Sequence, residues 1–236
     1  MALSRHRHDA RPPVPWRAWL ELLFPTRCTA CGAPGSVLCA ACRRLLVRLR
    51  APLCDRCGAP TAWPVQRCRE CADRRIAFSS ARAAVTYEGP ARPFVRAWKE
   101  HGLRRAVAPA AELVAEVVPC PAADVITYIP PDGDRNRKRG YHPAEQLAIE
   151  LCARWGLAGA ALLGRARPVA QQTGLSLGDR RRNVRGAFTV TVRPPQRVVL
   201  VDDVYTTGAT VAAAAGALRA AGAASVHAVT FARAVR

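Results

Sequence analysis

Beyond residue 75, short apolar runs alternate along the chain with stretches whose apolar residues recur at helical spacing. The apolar runs predict strands at 80–87, 124–130, 158–166, 197–203 and 225–233. The helical spacing predicts helices at 103–118, 142–156 and 209–222. Because strands and helices alternate, the sequence predicts an α/β fold with a mostly parallel sheet and helices on both faces. Ligands of such sheets bind outside the carboxyl ends of the strands.

The segment VVLVDDVYTTGAT at 198–210 carries the most specific chemical pattern of the chain. Its apolar start predicts a strand buried on both faces, and Asp202 and Asp203 stand at the end of that strand. Their carboxylates can accept hydrogen bonds from two neighbouring ribose hydroxyls or hold a metal-bound water. We call the residues that follow the phosphate loop: Thr206, Thr207, Gly208, Ala209 and Thr210.

The phosphate loop leads into a helix, whose free N–H groups and dipole favour a phosphate. The three threonines add hydroxyl donors, and Gly208 allows the backbone to approach a ligand closely. Capping of the helix would explain one such residue. An apolar strand, two acids and a loop of small residues in register favour a ligand site.

Eight of the ten cysteines lie between residues 28 and 71, in four C-x-x-C pairs. The pairs are Cys28 with Cys31, Cys39 with Cys42, Cys54 with Cys57, and Cys68 with Cys71. Each pair can direct two sulfurs at one metal, and two pairs complete a closed tetrahedral site that suits a structural Zn²⁺. The spacing therefore predicts two structural zinc sites. Sequential pairing of the four knuckles is favoured, and interleaved pairing stays open.

Disulfides and an iron–sulfur cluster are the alternatives to zinc. Disulfides require an oxidising compartment, and the sequence carries no export signal. Iron–sulfur ligands favour tighter and less symmetric spacing. Cys120 and Cys152 have no partner in the pattern and are predicted to be ordinary buried thiols.

The formal net charge is +19, and two zinc ions held by eight thiolates would lower it to about +15. Such a basic chain attracts polyanions, whether nucleic acids or phosphorylated small molecules. No apolar run approaches the ~18 residues that span a bilayer, so no membrane span is predicted. The expected location is the cytoplasm.

With two further segments, 128–148 and 171–188, these motifs resemble the ComF family, which joins a zinc-ribbon head to a type I phosphoribosyltransferase-like domain. The family is linked in several bacteria to DNA uptake during natural competence. Apolar residues at helical spacing before Cys28 predict an N-terminal arm with a short helix (1–24). The resemblance, which begins at Pro25, implies a double zinc ribbon (25–75) and a phosphoribosyltransferase-like domain (76–236). It also implies a ligand, 5-phosphoribosyl-1-pyrophosphate (PRPP), bound with Mg²⁺.

The resemblance assigns Asp202 and Asp203 to the ribose and the phosphate loop to the 5-phosphate. A loop that faces pyrophosphate in related enzymes matches Arg135, Arg137 and Arg139, and a lysine common in the family matches Lys99. The loop that closes over the reaction matches Arg180, Arg181 and Arg182, or Arg185. For any one of these arginines, a solvated basic face is an equal alternative.

In phosphoribosyltransferases a nucleophile, usually a nitrogen, displaces pyrophosphate from C1 of the ribose, and the protein supplies placement and cations. The resemblance therefore implies phosphoribosyl transfer to an unidentified acceptor. Two other classes stay open. The domain can sense PRPP without turnover, or it can handle single-stranded DNA beside competence proteins through its basic face. Aromatic residues make up only 6% of the chain, which weakens a base-stacking platform.

Overall fold

A computed structural model describes residues 25–131, 141–165 and 186–235. The strands in these ranges are β1 (Ser80–Thr86), β2 (Val125–Tyr128), β3 (Ala158–Gly159), β4 (Leu163–Arg165), β5 (Phe188–Val190), β6 (Arg197–Tyr205) and β7 (Ser225–Arg233). The α-helices are α1 (Ala40–Arg44), α2 (Ala91–Lys99), α3 (Val107–Val117), α4 (Pro143–Trp155) and α5 (Ala209–Ala220). A 3₁₀ turn, Arg104–Ala106, precedes α3.

Five strands form a parallel sheet in the order β1-β7-β6-β2-β3. The predicted fold class is thereby confirmed. Strands β4 and β5 pair with each other, antiparallel, in a separate small sheet. The carboxyl ends of β6 and β7 meet at one edge, where Tyr205 is paired with Arg233.

The sheet separates two apolar cores, and the period-two alternation of β6 shows how. Val199 and Val201 pack into one core with α2, α3 and α4. Val198 and Leu200 pack into the other core with α5. All four side chains are at most 1% exposed, which explains the unbroken apolar run in the sequence.

The cysteine-rich region packs against both cores. Cys28 and Cys42 lie in the core of α2, α3 and α4. Cys54, Cys57 and Cys71 lie in the core of α5. The two halves of the cysteine-rich region therefore cover opposite faces of the sheet.

Backbone hydrogen bonds join this region to the edge strand β1. The Ala81 N–H donates to the Arg56 carbonyl (2.9 Å), and the Leu49 N–H donates to the Ala84 carbonyl (2.9 Å). Gly58, at φ +69°, fits closely here, because a Cβ at this position would lie 2.3 Å from the Ala81 carbonyl oxygen.

Three expectations from the sequence differ from the structure. Helix α2 is absent from the sequence prediction, although its buried residues recur at helical spacing, and Pro90 and Pro93 lie at its start. Proline in the first turn of a helix loses no hydrogen bond, so α2 tolerates both. The single strand predicted at 158–166 is two short strands, β3 and β4, in different sheets.

The third difference concerns Cys120, which is exposed rather than buried. It lies between two prolines just after α3, where the chain leaves the helix and cannot continue it. Cys152 is partly buried on α4. Within the described ranges, no helix is both long and apolar enough to cross a membrane.

Candidate functional site

Asp202 and Asp203 lie near the carboxyl end of β6, and short hydrogen bonds fix their carboxylates. The Asp203 N–H donates to Oδ1 of Asp202 (2.9 Å). The Val204 N–H donates to Oδ1 of Asp203 (2.7 Å). Each acid is thus oriented by the backbone of the residue that follows it.

Lys99, the last residue of α2, forms an ion pair with Asp203. Its Nζ lies 2.8 Å from Oδ1 and 2.7 Å from Oδ2 of the carboxylate. The Asp203 side chain is 7% exposed and that of Lys99 is 37% exposed. A carboxylate so deeply buried needs a cation. Lys99 provides it because Trp98, fully buried in the same helix, anchors the end of α2.

Asp202 differs from its neighbour, since it forms no ion pair with any residue of the described ranges. Burial raises the pKa of Asp202 to about 7, and the negative charge of Asp203 adds to the rise. Lys99, the Asp203 N–H and Arg165 oppose it. A carboxyl group whose pKa lies near 7 is partly protonated at neutral pH, and any cation that approaches it stabilises its carboxylate form. Its oxygens suit Mg²⁺, a hard cation with oxygen ligands.

The phosphate loop follows directly and bends sharply at Gly208, whose φ is +70°. A Cβ at this position would lie 2.2 Å from the hydroxyl oxygen of Tyr205, so the loop backbone rests on the tyrosine ring. The Ala209 N–H donates to Oγ1 of Thr207 (3.3 Å), and Ala209 begins α5. Only glycine meets both requirements at position 208.

The acids and the loop share one cavity of about 240 Å³. It is lined by Lys99, Ile129, Pro130, Pro131, His142, Pro143, Arg165, Asp202, Asp203, Val204, Thr206 and Thr210. Five residues selected from the sequence therefore line a common space: Lys99, Asp202, Asp203, Thr206 and Thr210. Thr207, Gly208 and Ala209 belong to the loop without lining this cavity.

Two polar residues of the cavity were not selected from the sequence, His142 and Arg165. Arg165 ends β4; its Nε donates to the Pro130 carbonyl (3.1 Å), and its guanidinium carbon lies 4.4 Å from the centre of the Phe188 ring. His142 precedes α4, and its ring lies 5.4 Å from that of Tyr128. A single histidine before a helix and a single arginine at the end of a strand form no recognisable sequence motif. Only the folded structure shows that His142 and Arg165 line the cavity.

The predicted pyrophosphate and closing loops lie outside the described residues. These are Arg135, Arg137 and Arg139 on one loop, and Arg180, Arg181, Arg182 and Arg185 on the other. Their assignment stays a prediction.

The eight cysteines form two clusters in sequential order. The first cluster is Cys28, Cys31, Cys39 and Cys42, and the second is Cys54, Cys57, Cys68 and Cys71. Within each cluster the sulfur atoms lie within 4.8 Å of one another. Cys31 and Cys39 sulfurs are 3.7 Å apart, and those of Cys54 and Cys71 are also 3.7 Å apart.

Four thiolates around Zn²⁺, with bonds of about 2.3 Å, place their sulfurs about 3.8 Å apart. A disulfide requires about 2.05 Å. The two clusters therefore fit two structural zinc ions, as the sequence predicts.

Backbone N–H groups support the thiolate form of one cysteine in each cluster. The Cys39 N–H points to the Cys28 sulfur (3.5 Å), and the Cys68 N–H points to the Cys54 sulfur (3.3 Å). Burial opposes ionisation of both thiols, but these and other N–H donors outweigh it. They lower the pKa of Cys28 to about 6 and that of Cys54 to about 7. Such donors to the ligands are typical of metal sites.

Comparison with known proteins agrees with this architecture. Residues 19–72 match the double zinc ribbon domain, and residues 137–235 match the phosphoribosyl transferase domain. Competence protein F of Haemophilus influenzae is 28% identical over 188 residues, covering 73% of this chain and 80% of that protein. DNA utilization protein YhgH of Salmonella typhi is 31% identical over 220 residues, covering 87% of this chain and 96% of that protein.

The chain belongs to the ComF family. Its double zinc ribbon and phosphoribosyltransferase domain occur in the order that the sequence predicts. Among solved structures, glutamine PRPP amidotransferase of B. subtilis, complexed with ADP and GMP, is 25% identical. That likeness covers 54% of this ComF-family chain and 26% of the amidotransferase chain, with a TM-score of 0.39.

Proposed function

We propose that this protein binds PRPP together with Mg²⁺ at the carboxyl end of β6 and transfers the phosphoribosyl group to an acceptor. The observation that carries the proposal is the cavity shared by two fixed carboxylates and the phosphate loop. Ribose hydroxyls and a phosphate, joined in one small molecule, require that combination.

Each part of the cavity has a role in this proposal. The phosphate loop receives the 5-phosphate, and Asp202 and Asp203 accept hydrogen bonds from the ribose hydroxyls. In the transfer, an acceptor nitrogen attacks C1 while the bond from C1 to the pyrophosphate oxygen breaks. Mg²⁺, when bound, offsets the charge of the pyrophosphate, and Asp202 is the carboxylate placed to orient it. Arg135, Arg137, Arg139 and Arg181 are proposed as further cations for the leaving pyrophosphate.

In the ligand-free protein Lys99 forms an ion pair with Asp203, because its Nζ donates to Oδ1 and also lies 2.7 Å from Oδ2. The pair keeps Asp203 in place before the ligand arrives. With more than a third of its side chain exposed, Lys99 can also turn toward a phosphate without a large change in its own hydration.

The pKa of Asp202 makes the proposal testable through pH. Ligand binding requires the carboxylate, so below about pH 7 binding must also remove a proton. Affinity for PRPP with Mg²⁺ should rise between pH 6 and pH 8. Calorimetry at pH 6 in buffers of different ionisation enthalpy should show about one proton released per ligand.

The control is Asp202→Asn, which removes the titrating group and leaves the protonation of PRPP itself unchanged. The parent protein should release more protons than this variant. Stability provides a second readout. Because the pKa of Asp202 is raised in the folded state, its protonation stabilises the folded protein at low pH. This stabilisation is lost as the pH rises through about 7. If the parent and the variant release the same number of protons, Asp202 does not take part in ligand binding.

A second candidate function, binding of single-stranded DNA, is favoured by a larger and basic cavity. This cavity, of about 690 Å³, is lined by Arg56, Arg67, Arg74 and Arg75 with Asp55, Gln66, Ile76, Ala77 and Ser79. None of the four arginines forms an ion pair with a carboxylate in the parts of the chain that the structure describes. The names of the relatives, DNA utilization protein and competence protein, agree with this candidate.

Single-stranded DNA binding should fall steeply with salt, with little sequence preference, because contacts with phosphates release counterions. Arg75→Gln removes an exposed charge of the basic cavity. It should reduce the slope of log affinity against log salt by about 0.7 in a fluorescence anisotropy titration. Arg219→Gln, an exposed arginine outside the cavity, is the matched control. Equal slopes for the two variants, or no binding at low salt, would contradict this candidate.

The proposed location is the cytoplasm. The proposed domain organisation has three parts: the N-terminal arm (1–24), the double zinc ribbon (25–75) and the phosphoribosyltransferase-like domain (76–236). The sulfur spacing of the two clusters supports the location, because thiolates free for zinc require a reducing compartment.

A further inference from the structure

The second cysteine cluster lies beside the phosphate loop, whereas the first does not. Cys54, Cys57 and Cys71 share their core with Tyr205, the residue directly before the loop. The first cluster packs into the core on the opposite face of the sheet. Two separate chains of contacts connect the second cluster to the loop.

The first chain of contacts runs through Arg233, the last residue of β7, which is 1% exposed. Its guanidinium donates to the Cys57 carbonyl (2.7 Å) and to Oε2 of Glu70 (2.7 Å), and lies 3.8 Å from the Cys57 sulfur. Cys57 and Glu70 both belong to the second zinc ribbon, the part of the cysteine-rich region that carries the second cluster. Because a buried arginine requires its partners, the position of Arg233 depends on that ribbon.

Arg233 in turn supports Tyr205. Its guanidinium carbon lies 4.5 Å from the centre of the Tyr205 ring. The centre of the Phe78 ring lies 6.2 Å from that of Tyr205, with the two rings nearly perpendicular. The Tyr205 ring is 3% exposed, and the backbone of Gly208 rests on its hydroxyl end. A displacement of Arg233 would therefore change the surface on which Gly208 lies.

The second chain of contacts is shorter. Arg74, three residues after Cys71, donates from its guanidinium to the carbonyl of Thr207 (2.5 Å). Its own backbone is fixed to the ribbon, because the Arg74 N–H donates to the Cys71 carbonyl (3.3 Å) and its carbonyl accepts from Arg67 (2.5 Å). One ribbon residue thus holds the backbone of the phosphate loop directly.

We propose that the second zinc ribbon positions the phosphate loop, with Arg74 and Arg233 as the positioning residues. Metal binding at the second cluster and binding of the 5-phosphate group then favour each other, whereas the first cluster is not coupled to the ligand. This inference rests on the proposed function. Coupling between two sites is reciprocal, so each ligand must stabilise the other by the same factor.

Cysteine protection measures the coupling cluster by cluster. The intact zinc-bound protein is treated with N-ethylmaleimide and a chelator that is selective for Zn²⁺ over Mg²⁺, with and without PRPP and Mg²⁺, and alkylation is followed for each cysteine by mass spectrometry. PRPP should slow alkylation of Cys54, Cys57, Cys68 and Cys71 by about fivefold or more. Alkylation of Cys28, Cys31, Cys39 and Cys42 should be unchanged. Equal protection of both clusters, or of neither while PRPP binds, would overturn the proposal.

Arg74→Gln tests the direct contact, since the shorter side chain cannot reach the Thr207 carbonyl. Arg75→Gln is the matched control, with the same loss of charge one residue away in the same basic cavity. Both variants should retain two zinc ions. Arg74→Gln alone should weaken PRPP binding about fivefold or more and abolish most of the protection of the second cluster.

A readout without ligand separates this inference from the proposed function. Hydrogen exchange of backbone amides at 206–210 should be faster in Arg74→Gln than in Arg75→Gln. Failure of the parent protein to bind PRPP would refute the proposed function. The comparison of exchange rates would still test whether the ribbon positions the loop, because it needs no ligand. Equal exchange in the two variants would show that the ribbon does not position the loop.

Discussion

The purified protein is expected to contain about two zinc ions per chain, one in each cysteine cluster. Cys42→Ser should lose one ion from the first cluster, and Cys71→Ser should lose one from the second, because both thiols are buried ligand positions. Elemental analysis and thermal unfolding measure the two effects. Structural zinc contributes about 10–16 kcal/mol of binding free energy in isolated zinc fingers, so stripping both ions should destabilise the protein severely.

The destabilisation should extend beyond the ribbons, because the two clusters pack into the cores on both faces of the sheet. Cys120→Ser is the control, since its exposed thiol belongs to neither cluster. It should keep two zinc ions and the melting temperature of the parent. A single zinc per chain, or bound iron with visible absorbance, would contradict the assignment.

Replacing Asp202 or Asp203 by Asn is expected to weaken binding of PRPP at least tenfold, about 1.4 kcal/mol. Either change preserves size and removes a full charge and acceptor lone pairs from the cavity. Calorimetric titration in the presence of Mg²⁺ measures the loss. Asp124→Asn is the matched control, because Asp124 pairs with Arg197 at the opposite end of the sheet. It should bind PRPP as the parent does.

The two aspartates should differ in their effect on stability. Asp202→Asn removes a partly buried charge that lacks an ion pair in the described ranges, so the ligand-free melting temperature should be unchanged or higher at pH 8. Asp203→Asn leaves Lys99 without its partner and should lower the melting temperature modestly. If both variants bind PRPP as the parent does but have much lower melting temperatures, the two acids are structural caps and do not bind the ligand.

The sheet and the acidic strand end could be predicted because their signals are local. Residues 198–201 are apolar and 202–203 are acidic, and the structure extends that strand to Tyr205, two residues beyond the acids. The C-x-x-C spacing predicts the zinc clusters for the same reason: each knuckle is a local structure. Strand β7 has the predicted bounds, 225–233.

The contacts that complete the site could not be predicted, because they join residues far apart in the sequence. Lys99 and Asp203 are separated by 104 residues, and Arg233 and Cys57 by 176. Lys99 entered the sequence prediction only through the family resemblance, and the helix that carries it was missed. Arg233 resembles any other arginine in an arginine-rich chain until the fold buries it between a zinc cluster and the phosphate loop.

The central claim, a PRPP site formed by Asp202, Asp203 and the phosphate loop, is tested most directly by titrating the parent protein with PRPP. Calorimetry should show one molecule bound per chain in the presence of Mg²⁺, and binding at least tenfold weaker when Mg²⁺ is left out of the buffer. No heat of binding from the fully zinc-loaded protein at pH 8, with or without Mg²⁺, would contradict the claim.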